Sequence, residues 1–244
     1  MRVAVVLSGA FVSRHPLGDI KHSNLRQRQL FTGADFYYST WNSFKSQFEE
    51  KFPNYDCSYF EEPTPKYHPY QMEHIASPHY EETRQFILRQ PNRMEWARHH
   101  TKQHLAYALM LDKIDLSCYD VIVRARYDNW FHKDADFTPY VEDCFENKRA
   151  IGFAVTIKEK FDTVYESNFS KTPKHKNWML DQLIIHRTDM VDTSHIYSLY
   201  ENEKLHAAEM GWWQILSEPW GNNHRNIHGM VNHDKNVLDR FMIR

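Results

Sequence analysis

Two arginines and a carboxylate at alternate positions, Arg124, Arg126 and Asp128, follow the apolar run Val121-Ile122-Val123. Side chains alternate along a strand with period two, so a strand carried through this stretch puts all three on one face. At the carboxyl end of a strand in an open α/β sheet, two cations and a carboxylate suit a phosphorylated ligand, with Asp128 holding a divalent metal such as Mn²⁺ or Mg²⁺. The same residues make an Arg–Asp ion pair at the sheet edge equally well, because buried charges need partners. Asp181-Gln182 stands just ahead of the apolar Leu183-Ile184-Ile185. A carboxylate and an amide there hydrogen-bond the hydroxyls of a sugar, or the Asp serves as a base; the alternative is a simple turn or helix cap.

Other polar groups carry weaker signals. Asp134-Ala135-Asp136 spells D-A-D, but Lys133 precedes it and no apolar strand leads into it, so it reads as a solvated turn. His100 and His104 have the i,i+4 spacing of a zinc pair, yet no nearby Glu or Cys completes a tetrahedral set. His224, His228 and His233 either close over a metal-diphosphate or lie on the surface, the simpler reading. Lys171 to Lys176 reads as a solvated basic loop. G-x-S-x-G, G-x-x-x-x-G-K-S/T and G-x-G-x-x-G are all missing.

The elements that must position these groups follow from periodicity. Val3 to Leu7 is a continuous β-branched run ending in Ser8-Gly9, as in a buried parallel strand followed by a loop. A short helix over Leu25 to Phe31 and a strand over Asp35 to Trp41 complete a βαβ-type order. Residues 53–92 hold six prolines and read as mostly irregular, a lid or acceptor-binding segment with a helix near Tyr80 to Leu88. A helix follows from Met94 to Lys113, with Leu105, Ala108, Leu109 and Ile114 on its apolar face. Further strands are expected over Ala150 to Ile157 and after Trp178, helices over Met190 to Tyr200 and Ala207 to Leu216, and a docking segment over Val237 to Ile243.

The chain has 244 residues, 41% hydrophobic and 25% charged, a composition that sets aside disorder, collagen and coiled coil. With no linker or internal repeat, residues 1–244 read as a single domain: α/β, a mostly parallel central sheet flanked by helices. The net charge of −2 does not suit a protein that coats DNA. Arg84, Arg89, Arg93, Arg98, His99 and Lys102 either track a phosphate backbone or form the solvated face of two helices, and the overall charge favours the second. Three cysteines without CxxC spacing, no secretory leader and no apolar stretch of membrane-spanning length read as a cytoplasmic protein.

These motifs, in this order, resemble the small GT-A-type glycosyltransferases of bacteria, phages and large viruses, near the WavE-like lipopolysaccharide-synthesis group. The matching pieces are the opening strand with Ser8-Gly9 and a later Arg14, the Asp35 to Trp41 strand with Thr40-Trp41, and Gln103 on the helix before the central strand. Tyr119 through Phe131, Asp181-Gln182-Leu183 and Glu209 opening a late helix complete the set. The resemblance covers nearly the whole chain through short, degenerate motifs. It implies a GT-A-like, Rossmann-like fold that binds a nucleoside-diphosphate sugar. Ser8, Gly9, Arg14, Gln103, Arg124, Arg126 and Gln182 would surround the donor. Asp128 would be the last carboxylate of a D-x-D metal motif and Asp181 the base or sugar ligand. Arg126 departs from that motif, where the family has Asp. The acceptor would be a glycan, lipid-linked sugar, protein or hydroxymethylated DNA base. The competing classes are a non-catalytic nucleotide- or glycan-binding module of degenerate transferase fold, and a metal-dependent nuclease or phosphatase using Asp128, Asp134 and Asp136.

Overall fold

The computed structural model describes residues 1–11, 20–64, 91–132, 134–154, 164–166, 178–206 and 208–232, with the backbone alone for 91–100, 165, 208 and 232. Ten strands are described: β1 (Val3–Ser8), β2 (Asp35–Trp41), β3 (Cys57–Phe60), β4 (Val121–Ala125), β5 (Trp130–Phe131), β6 (Ala150–Ala154), β7 (Tyr165–Glu166), β8 (Leu183–Arg187), β9 (His224–His228) and β10 (Val231–Asn232). Eight of them form one sheet in the order β3-β2-β1-β4-β8-β6-β9-β7, while β10 and β5 pair separately. Four of the seven ladders in the large sheet are parallel, and β8 runs against both of its neighbours. This is the mostly parallel α/β sheet expected from the sequence.

Helices cover both faces. Here α1 is Ile20–Leu30, α2 Lys45–Lys51, α3 Pro91–Leu111, α4 Thr138–Asn147, α5 Thr193–Glu201 and α6 Ala208–Leu216. One core cluster joins Val5, Leu7 and Val123 of the sheet to Phe48 of α2 and Val141 of α4. The other joins Val6, Ile122 and Ile184 to Leu105 of α3, Ile196 of α5 and Trp212 of α6. A strand buried on both sides must be apolar on both sides, which explains why Ala4 to Leu7 reads as an unbroken run and is fully buried.

Several boundaries differ from the sequence reading. The central strand stops at Ala125, whose ladder partner Leu183 is the first residue of β8. Arg126 and Asp128 therefore lie in the turn beyond the strand, and the period-two argument applies to Arg124 alone. Residues 53–92 read as mostly irregular, and within them Cys57–Phe60 adds an unforeseen parallel strand beside β2. His224 and His228 are not on the surface: they belong to β9 and are 6% and 5% exposed. Lys102 lies on no solvated face. It is 8% exposed and its Nζ donates to Glu62 at 2.8 Å. Arg14, the region near Tyr80 to Leu88, Arg84, Arg89, Lys171 to Lys176, His233 and Val237 to Ile243 lie outside the described residues, as do the side chains of Arg93, Arg98, His99 and His100.

Candidate functional site

The chain leaves β1 toward β2 on one side of the sheet, and β4 adds to the opposite edge of β1. In open α/β sheets, the crevice outside the carboxyl ends of such diverging strands is where ligands bind. Ser8-Gly9 closes β1 there, and Arg126 to Asn129 follows β4. Gly9 adopts φ of 104°, which a side chain with a Cβ adopts only under strain, and its carbonyl accepts a 2.8 Å hydrogen bond from Thr40 Oγ1. Ser8 and its ladder partner Ser39 are 5% and 0% exposed, and neither hydroxyl has a hydrogen-bond partner among the described residues.

The turn after β4 is fastened from several sides. Tyr127 folds back under it and donates its hydroxyl to the carbonyls of Leu7 and Ser39 at 3.2 and 3.0 Å. From α1, Gln27 Nε2 donates to the Arg126 carbonyl at 3.0 Å and Ser23 Oγ to the Asn129 carbonyl at 2.6 Å. Asn129 Nδ2 in turn holds the Gln182 carbonyl at 2.9 Å. On this rigid turn, Arg126 grips Asp128 with two parallel bonds, Nε to Oδ1 and Nη2 to Oδ2, each 2.9 Å. Such fork-to-fork pairing is among the strongest of side-chain contacts.

Beneath it lies a second arginine. Arg124 is 1% exposed and its guanidinium stacks on Trp212 of α6, 4.8 Å from the ring centroid. Its Nη1 donates to the Asp181 carbonyl and its Nη2 to Gln103 Oε1 at 2.9 Å. Gln103 then passes its own Nε2 to the Asp181 carboxylate at 3.3 Å. One amide on α3 thus ties the buried cation to the carboxylate. The segment carrying Asp181 crosses β6 at Gly152, where an added Cβ would overlap the Leu180 backbone, with Leu180 N only 2.8 Å away. Leu180 N is held at 2.8 Å by Asn226 Oδ1, and Met179 N donates to the Glu209 carbonyl at 3.1 Å.

Charges crowd here. Burial pulls Arg124 down to about 10, with Arg126 adding to the effect and Asp181 opposing it, so Arg124 still carries its proton at neutral pH. Burial also works against the Arg126 charge, but the Asp128 carboxylate and its hydrogen bonds outweigh it and hold Arg126 above the ordinary value. Burial first, and then the negative charge of Asp181, push the Glu209 carboxyl up to about 7, against the opposing pull of its backbone hydrogen bond and Arg126. Glu209 thus joins this cluster, its carboxyl held well above the ordinary carboxylate range. Only its place at the head of a late helix marked it in the sequence, because the groups that shift it arrive from distant strands.

Gln103, Arg124, Arg126, Asp128, Asp181 and Gln182 all come together, and Ser8-Gly9 sits at the neighbouring strand end. Asp134 and Asp136 do not join them: both are exposed, and Asp136 Oδ1 accepts from Thr138 N, the first residue of α4, at 2.9 Å. His104 packs its ring against Trp212, with centroids 4.6 Å apart. The divalent metal implied by the D-x-D resemblance does not suit this donor set. Both Asp128 oxygens are bridged by a guanidinium, and among the described residues no three His, Cys, Asp or Glu side chains gather to hold an ion.

No family model matches the chain, and no curated protein does. Solved structures do. The inositol-1-phosphate CTP transferase from T. maritima superposes with a TM-score of 0.50 at 8% identity, over 99% of this chain and 95% of that one. S. aureus TarS 1-349 in complex with UDP-GlcNAc gives 0.47 at 12% identity, over 95% of this chain and 58% of that one. The 4-diphosphocytidyl-2C-methyl-D-erythritol synthase from Anaerococcus prevotii DSM 20548 gives 0.47 at 10% identity, over 93% of this chain and 86% of that one. At such identities the likeness speaks for the fold, a GT-A-like and Rossmann-like α/β sheet.

Proposed function

We propose that this protein is a glycosyltransferase that moves a sugar from a nucleoside diphosphate to an acceptor hydroxyl. The observation that carries the reading is the convergence of Arg126 and Glu209, both half-buried, with the buried Asp128 and Asp181 just beyond the carboxyl ends of β1 and β4. A transferase needs a cation for the departing diphosphate and a base for the attacking hydroxyl, in a site that excludes water. Arg126 supplies the first on a turn fixed by α1. Asp181 supplies the second, oriented by Gln103. Ser8, the last residue of β1, offers an unpaired hydroxyl at the strand end where the nucleotide would lie.

The reaction follows from these roles. The acceptor oxygen forms a bond to the anomeric carbon, and its proton passes to the Asp181 carboxylate. The bond from that carbon to the phosphate oxygen breaks, and its electron pair leaves on the diphosphate beside Arg126. Arg124, whose Nη1 and Nη2 are both engaged inside the protein, braces Asp181 and contributes its field. The order of the motifs supports the WavE-like relationship, and the three free cysteines, Cys57, Cys118 and Cys144, suit a reducing, cytoplasmic setting. Among the described residues no helix is long and apolar enough to cross a membrane.

The test is release of nucleoside diphosphate from a panel of nucleotide sugars, with release of pyrophosphate from CTP followed alongside because the fold is shared with a CTP transferase. One donor is expected to turn over. Asp181→Asn should bind that donor with similar affinity and lose roughly 10²–10⁴-fold in kcat, the usual worth of a positioned base. A variant that keeps full turnover would remove Asp181 from the mechanism. The closure of Asp128 by Arg126 favours one second reading, a binding module; its signature is a donor that binds and is never consumed.

A further inference from the structure

Building on the transferase reading, we infer that the diphosphate is held by the N–H donors of the Arg126 guanidinium, pinned by Asp128, and that donor binding needs no divalent metal. The argument rests on which atoms are engaged. A carboxylate that serves a metal must turn an oxygen lone pair toward it. Asp128 instead accepts from Arg126 through both oxygens at 2.9 Å, and its side chain is only 5% exposed. The neighbouring position of the motif, which would hold a second carboxylate, is the arginine itself.

The geometry gives Asp128 a different task. A guanidinium has five N–H donors in a fixed plane. The pair with Asp128 uses Nε and one hydrogen of Nη2, leaving both hydrogens of Nη1 and the second of Nη2 outside it. Asp128 therefore fixes the plane and leaves a fork of donors, the arrangement that matches phosphate oxygens. The backbone under Arg126 is equally fixed, through Gln27 from α1 and Tyr127 from the same turn. A metal ion contributes charge and a fixed position to a diphosphate; here the clamped arginine contributes the fixed position and directed N–H donors, its charge being shared with Asp128. Arg126 is the binding residue and Asp128 the positioning residue.

The test is calorimetric binding of UDP, ADP, GDP, CDP and inorganic pyrophosphate to the full chain, in EDTA and in saturating MnCl₂. The expected result is binding of at least one of them, with a Kd that changes less than about threefold between the two conditions. A larger tightening by Mn²⁺ overturns the metal-free clamp and leaves the transferase reading standing. Absence of binding in both conditions overturns the clamp and the transferase reading together. Arg126→Asp restores the D-x-D spelling, and binding should then fall at least about tenfold in EDTA and recover with Mn²⁺. Asp128→Asn, which keeps the shape but frees the guanidinium, should weaken binding in both conditions alike, whereas a metal ligand would lose only the Mn²⁺-dependent part.

Discussion

A carboxyl group that titrates near neutral pH beside a bound anion links proton binding to ligand binding. Glu209 is that group, raised to about 7 by burial and by the charge of Asp181. Bringing a diphosphate to Arg126 adds negative charge nearby and favours the protonated carboxyl further. Binding should therefore take up protons. Where Glu209 already carries its proton, affinity is independent of its titration; as pH rises past 7 the ionised carboxylate opposes the anion and affinity falls, by at most about tenfold per pH unit. Calorimetry in buffers of different ionisation enthalpy measures the uptake directly, and Glu209→Gln should abolish it; uptake unchanged in that variant would assign the proton elsewhere. The residue types at the site were legible in the sequence: Arg124, Arg126, Asp128, Asp181 and Gln182 stood out by chemistry and spacing. Their partnerships were not. Whether Asp128 faced a metal or an arginine was left open, and local sequence cannot decide it, because both readings satisfy the same charge rule.

At the scale of elements, the least legible device is α1. An amphipathic helix is expected to bury its apolar stripe, yet here Leu25 is 57% exposed while Ser23, Asn24 and Gln27 are buried. Those polar side chains serve the turn after β4 and the Tyr38 hydroxyl, which Asn24 accepts at 2.8 Å. The helix is a clamp for the Arg126 turn; the sequence places a short helix over Leu25 to Phe31, but the structure starts it at Ile20 and buries its polar face. The segment that carries Asp181 has its own device, the missing side chain at Gly152. Gly152→Ala forces a methyl group against the Leu180 backbone, which is anchored by Asn226 and by the crossing to β8. Overpacking of this kind costs about 1–3 kcal/mol. The expected outcome is a loss of that size in urea denaturation, together with weaker nucleotide binding as Asp181 and Gln182 shift. Full stability and full binding in the variant would show that this crossing can move freely, and that Asp181 is not held by it.

The whole molecule poses one question that sheet order sharpens. Strands β3, β2, β1 and β4 are built from residues up to Ala125, and β8, β6, β9 and β7 from later ones. Apolar runs marked β1 and β4, because strands buried on both faces must be apolar on both, and β2 followed from its place after a helix, but β3 in the proline-rich segment carried no such signal. The later set was harder to read: β9 is His-Arg-Asn-Ile-His, polar in type although buried, and its strand character comes from its ladder with β6. The two sets meet at the antiparallel ladder from Val121↔Arg187 to Ala125↔Leu183. The site straddles that seam, since Arg124 on β4 reaches the Asp181 carbonyl at the head of β8, and Trp212 and Gln103 pack around the same guanidinium. If the seam makes one cooperative unit, thermal unfolding is a single transition, and a nucleotide that binds across it raises the whole transition rather than part of it. At a ligand concentration of about 100 Kd the gain is about 2.7 kcal/mol. For a chain of this size that is a rise in Tm of roughly 5–10 °C. Differential scanning calorimetry with and without the nucleoside diphosphate that binds distinguishes the cases. Two transitions, only one of them moved by ligand, would mean that the seam at β4 and β8 divides two domains and that the site belongs to one of them.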